Sequence, residues 1–72
     1  MTDTELLKQK IDESGYRFSW IAKQLNLSPY GLRKKVDGEN EFKATEIMKF
    51  QEILKISNDE RDEIFLSNLL KK

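Results

Sequence analysis

Residues 16–38 read Tyr16-Arg17-Phe18-Ser19-Trp20-Ile21-Ala22-Lys23-Gln24-Leu25-Asn26-Leu27-Ser28-Pro29-Tyr30-Gly31-Leu32-Arg33-Lys34-Lys35-Val36-Asp37-Gly38. Phe18, Ile21, Ala22 and Leu25 recur at i, i+3, i+4 and i+7, which is one stripe of an amphipathic helix over about Phe18 to Leu25. Asn26 can close that helix, because asparagine tolerates positive φ better than most residues. Ser28 is then a good N-cap, and Pro29 follows at the first helical position, where its missing N–H costs nothing. In this next helix Leu32 and Val36 share one face, while Tyr30, Arg33, Lys34 and Asp37 share the opposite one. Asp37-Gly38 terminates it. The small Ala22 lets the two helices cross closely, and the short turn between them sets their angle.

Working outward, helical periodicity continues on both sides. Thr4 to Ser14 places Leu7 and Ile11 four apart, with Thr2-x-x-Glu5 as a capping box and Ser14-Gly15 as the stop. After a loop through Asn40, a fourth helix is expected from about Ala44 to Lys55, turning Ile47, Phe50 and Leu54 inward. Ser57-x-x-Glu60 reads as a capping box that opens a last helix through Leu70. Asp59, Glu60 and Asp62 suit the positive first turn of that helix. The predicted fold is all-α, a compact bundle of about five short helices containing a helix-turn-helix, in one domain spanning 1–72. Its expected core is Leu7, Ile11, Ile21, Ala22, Leu25, Leu32, Val36, Ile47, Phe50, Leu54 and Phe65. The four phenylalanines, Phe18, Phe42, Phe50 and Phe65, are needed for burial in so small a chain.

A length of 72 residues with 38% hydrophobic content allows one small core and a thin margin of stability. Cysteine and histidine are absent, which excludes disulfides, thiolate or imidazole metal sites, and Cys–His or Ser–His nucleophiles. There is no glycine-rich phosphate loop either, so neither an enzyme nor a cofactor is expected. No apolar run reaches membrane length, and Met1-Thr2-Asp3-Thr4-Glu5 lacks the basic and apolar regions of a signal peptide. A soluble, cytoplasmic protein with no membrane partner is the expectation.

The formal net charge is zero, but its distribution is uneven. From Ser14 to Val36 there is no acid, while Arg17, Lys23, Arg33, Lys34 and Lys35 are cationic. From Asp37 to Glu63, nine acids stand against four bases. One half suits phosphates; the other would repel them. The outward face of the second helix of the pair carries Tyr30, Arg33 and Lys34, with Lys35 at its margin. Such a helix can enter the DNA major groove. Arg and Lys donate there to guanine O6 and N7, and Tyr offers a hydroxyl or packs on a thymine methyl.

The run from Tyr16 to Ser28, followed by Leu32-Arg33-Lys34-Lys35-Val36-Asp37-Gly38, resembles the helix-turn-helix of the Cro and repressor family, a lambda-repressor-like fold. Glu41-Phe42-Lys43-Ala44-Thr45-Glu46-Ile47 and Ile64-Phe65-Leu66 are similar to short Cro-like proteins of temperate phages of Gram-positive bacteria. The similarity spans about residues 5 to 66. It implies a regulator of a lysis–lysogeny switch in a bacterial host cell, binding double-stranded operator DNA, with a homodimer left open. It implies that Pro29, Tyr30 and Lys34 face bases and that Ser19 faces a phosphate. With helix three in the groove, Arg17, Lys23 and Lys35 are expected near phosphates, and Ser28 and Arg33 complete the expected DNA-binding set. Family members usually carry Thr-Gln at the entry of helix two, where the threonine caps it. Here Arg17-Phe18 stands instead, and Asn26 replaces the usual glycine.

The alternative is a modulator or antirepressor on the same scaffold, acting by binding a phage repressor protein. The zero charge favours it, because DNA affinity comes largely from neutralising phosphates. Trp20 falls off the inward stripe and is an interface candidate. Glu39 and Glu41 after helix three, and Asp59, Asp62 and Glu63 in helix five, would face the basic surface of that repressor.

Overall fold

The computed structural model describes residues 2–66, and every regular element among them is an α-helix. In chain order these are α1 Thr4–Ser14, α2 Phe18–Gln24, α3 Pro29–Val36, α4 Ala44–Leu54 and α5 Asn58–Phe65. No helix among the described residues is long and apolar enough to cross a membrane.

Local chemistry sets most of the boundaries. Gly15, at φ 76°, closes α1. Ser57 and Glu60 form the reciprocal box that opens α5: the Ser57 hydroxyl accepts the Glu60 N–H at 3.1 Å, and the Glu60 carboxylate accepts the Ser57 N–H at 2.9 Å. α4 stops one residue earlier than expected, because Lys55 turns left-handed at φ 55° and serves as its C-cap. α5 runs to Phe65 with Leu66 as its C-cap, and residues 67–70 of the expected extension to Leu70 lie outside the described residues.

The expected capping box at Thr2 and Glu5 is corrected by one residue. Asp3 caps α1, its Oδ1 accepting the Leu6 N–H at 3.1 Å. That register puts Leu6 at the third helical position, so no side chain there reaches back to the cap. The cause is tertiary: the Asp3 N–H donates to the Ile64 carbonyl at 2.6 Å, and this bond pins the start of α1 against α5.

α1 is the hub of the bundle, touching α3, α4 and α5, while α2 packs on α3 and α4 on α5. Of the expected core, Leu7, Ile21, Ala22, Leu25, Leu32, Val36, Phe50 and Phe65 are buried. Ile11, Ile47 and Leu54 are half-buried and pack against its rim. Phe42, Ile56 and Ile64 complete the interior. Phe42 sits edge-on to both Phe50 and Phe65, with ring centroids 5.4 and 5.3 Å apart, so a loop residue seals the end of the core. Fully burying a side chain such as Phe50 or Leu7 contributes about 1.5–3 kcal/mol each.

Candidate nucleic-acid interface

The connection between α2 and α3 is built from backbone bonds that Asn26 makes accessible. Asn26 adopts φ 59°. The Leu27 N–H then donates to the Ala22 carbonyl at 2.9 Å, and the Asn26 N–H to the Lys23 carbonyl at 3.1 Å. These two bonds are the Schellman closure of a helix, satisfying carbonyls that the helix itself leaves open. Ser28 starts α3 immediately, its Oγ accepting the Gly31 N–H at 3.0 Å, with Pro29 at the first position. A Cβ on Gly31 would lie 3.2 Å from that hydroxyl, so the glycine keeps the cap uncrowded. Ala22 is fully buried where the helices meet. At the far end of α3 the same closure recurs: Gly38, at φ 87°, donates to the Lys35 carbonyl at 3.1 Å and Glu39 to that of Lys34 at 2.9 Å.

What α3 turns outward is mixed in chemistry. Tyr30 is 71% exposed, the most exposed large hydrophobic side chain among the described residues. The Lys34 ammonium lies 5.2 Å from the centroid of its ring, a cation on an aromatic face. The Arg33 guanidinium lies 4.5 Å from the Phe18 ring centroid, which lays it against the first residue of α2. Phe18 itself is half-buried against the core. Ser19 and Lys23 of α2, Pro29 and Arg33 of α3, and the N-caps Arg17 and Ser28 are exposed, whereas Lys34 is half-buried. Arg17 occupies the N-cap of α2 without a side-chain bond, as its lack of a suitable acceptor requires. Arg17, Lys23, Arg33 and Lys34 form no ion pair among the described residues.

Lys35 departs from the expected set. Its ammonium lies 2.6 and 2.8 Å from the two carboxylate oxygens of Glu46, with side-chain exposures of only 12% and 9%. It is committed to α4, and reaching a phosphate would break a desolvated pair. Glu46 was not anticipated. Its Oε1 also accepts the Lys43 N–H at 2.8 Å, half of a capping box, since a lysine side chain has no acceptor to complete it. A Glu at the third position of a helix is the sequence signal for that half.

The acidic candidates divide as well. Glu39, Glu41, Asp59 and Glu63 are exposed and form no ion pair among the described residues. Asp62 is held by Arg61 at 3.1 Å, and Asp37 by Lys8 at 3.1 Å. Glu60 receives the Ser57 N–H and then the Lys10 ammonium at 2.9 Å, which together hold its carboxyl below the usual carboxylate range. The same bond from Lys10 to Glu60 raises the lysine above its ordinary value. Trp20 is 41% exposed and stacks on Tyr16, ring centroids 4.7 Å apart at 35°. Tyr16, an equally exposed member of this pair, escaped the sequence reading because it precedes α2 and belongs to no helical stripe.

Comparison of the chain with family models, with curated proteins and with solved structures finds no match in any of the three.

Proposed function

We propose that the protein is a helix-turn-helix regulator that occupies an operator in double-stranded DNA with α3 in the major groove. The observation that carries this reading is the pairing of a closed α2–α3 turn with four cations, Arg17, Lys23, Arg33 and Lys34, that have no carboxylate partner among the described residues. A rigid turn and unengaged cations suit a surface that exchanges water and counterions for phosphates. In this reading Tyr30 meets base edges at the start of α3, beside Ser28 and Pro29, and Lys34 meets them one turn further along the same face. Arg17, Ser19 and Lys23 meet phosphates, and Arg33 supports the helix from its stack on Phe18. The resemblance to Cro-like proteins supplies the setting, a lysis–lysogeny switch in the cytoplasm of a bacterial host.

The test is a titration of labelled duplex DNA, drawn from a random pool by the protein itself, at two salt concentrations. A sequence-selective complex that weakens with salt is expected, the slope falling by about 0.9 per phosphate contact. Failure to select any duplex at low salt would refute it.

A second reading has its own observations: zero net charge, the exposed Tyr16–Trp20 stack, and unpaired Glu39 and Glu41. There the protein acts as an antirepressor, docking on the basic face of a phage repressor. Glu39→Lys/Glu41→Lys should then weaken repressor binding, most visibly at low salt. Unchanged affinity for that variant would exclude electrostatic docking through this loop.

A further inference from the structure

The geometry points to Lys35 and Glu46 as a positioning pair that fixes the direction of α3 for its ligand, rather than as a contact with that ligand. This inference rests on the DNA-binding reading above. Consecutive helical residues project about 100° apart, so Arg33, Lys34 and Lys35 leave α3 in three directions. Arg33 lies on Phe18 of α2. Lys35 is bound to Glu46 of α4 through both carboxylate oxygens. Lys34, between them, is half-buried, and its ammonium lies over Tyr30 of its own helix. The two flanks of α3 are therefore tied to two different elements, with Lys34 between the ties.

The tie to α4 matters because little else provides it. α3 packs chiefly on α2 and α1, and α4 on α1 and α5. The Lys35–Glu46 pair is the direct side-chain hydrogen bond between α3 and α4 among the described residues. Glu46 is itself immobilised, since Oε1 also takes the Lys43 N–H at the start of α4. A buried ion pair contributes little net stability after desolvation, but it tolerates only a narrow geometry. That is the property a positioning contact requires.

The consequence has an unusual sign. Neutralising Glu46 removes a negative charge near a DNA-binding surface, and long-range electrostatics alone would tighten binding. Positioning requires the opposite. The experiment compares the parental protein with Lys35→Met, Lys35→Arg, Glu46→Gln and Lys23→Ala on the duplex that the parent selects from a random pool. It is run across a salt series, below the melting temperature of every variant. Glu46→Gln keeps an acceptor for the Lys43 N–H and Lys35→Met keeps the aliphatic stem, but each leaves one buried charge without its partner, so both should melt lower than the parent. The double variant Lys35→Met/Glu46→Gln, which removes both charges, is measured beside them. The two single variants should weaken binding about tenfold, one base contact's worth, at every salt concentration. Their salt slopes should match the parent's, whereas Lys23→Ala should lose about 0.9 in slope. Lys35→Arg keeps the charge and can grip the carboxylate with two donors but is longer and planar, so it should recover part of the affinity that Lys35→Met loses. A reduced slope for Lys35→Met would make Lys35 a phosphate ligand and overturn the proposal. So would parental or tighter binding by Glu46→Gln. If the parent selects no duplex, the DNA reading falls, and amide hydrogen exchange of Glu46→Gln decides the positioning claim separately. Faster exchange confined to α3 and the loop after it supports the tie; unchanged exchange there overturns it.

Discussion

In the stretch from α2 through α3, Arg17, Lys23, Arg33 and Lys34 have no carboxylate partner among the described residues, whereas beyond α3 most acids already hold one. Asp37 is held by Lys8, Glu46 by Lys35, Glu52 by Lys49, Glu60 by Lys10 and Asp62 by Arg61. Two of these bonds, Lys10–Glu60 and Lys35–Glu46, join one helix to another, and Lys8–Asp37 joins α1 to the cap of α3, so part of the acidic charge is engaged inside the bundle. The cationic region leaves most of its charge without a carboxylate partner among the described residues. A net charge of zero therefore averages two populations with different work. What a phosphate would meet is the local surplus, not the total.

The comparison breaks most visibly if the outward face of α3 is removed. Tyr30→Ala/Arg33→Ala/Lys34→Ala should reduce affinity for the selected duplex by at least about a hundredfold, since each lost base contact is worth about 1–3 kcal/mol. Its melting temperature should fall only modestly, because Tyr30 and Arg33 are exposed and losing the Arg33–Phe18 stack costs about 0.5–1 kcal/mol. Binding that survives this triple change would show that the unpaired cations of α3 serve no DNA contact.

A smaller effect is expected from the joint beneath that face. Ala22 is fully buried between α2 and α3, and its carbonyl accepts the Leu27 N–H that shapes the turn. Ala22→Leu should cost about 1–3 kcal/mol by overpacking, read as a lowered melting temperature. An unchanged melting temperature would mean that the two helices are not in the contact described.

The smallest effect sharpens the acidic side. Glu60 is held below the usual carboxylate range by the Ser57 N–H and by Lys10. The stabilisation this gives is present above the ordinary carboxylate pKa and fades as pH falls through the lowered value. Glu60→Gln should therefore flatten the acid limb of a stability-against-pH curve slightly, because an exposed pair is screened by water. Lys10, raised chiefly by its bond to Glu60, contributes on the alkaline side and loses its contribution as pH rises through its elevated value. A Glu60→Gln curve that overlays the parental one would show that this pair does nothing for folding.

Much of this architecture is legible in the chain because caps and stops are local. Gly15, Asn26, Ser28-Pro29 and Ser57-x-x-Glu60 each act on residues three to five positions away, and each does what its chemistry requires. Asp3 and Thr2 are both able to cap a helix, and only the bond to Ile64, on the far side of the fold, selects Asp3. Ile56 lies between two helices rather than on one, so no periodicity marks it as core. The site follows the same rule. Tyr30 and Lys34 are visible as an outward face, whereas the inward turn of Lys35 depends on where α4 starts relative to α3. No spacing within α3 encodes that.

The bond between Asp3 and Ile64 also bears on the order of events at synthesis. A ribosome delivers α2 and α3 early, yet α1, the hub on which α3 rests, finds its last anchor only when α5 has left the exit tunnel. Contacts so far apart in sequence slow the search for the native topology. α2 and α3 are therefore synthesised before the elements that complete the contacts of α1. The contacts that α1 makes with α4 and α5 are those a chain cut before α4 would lack.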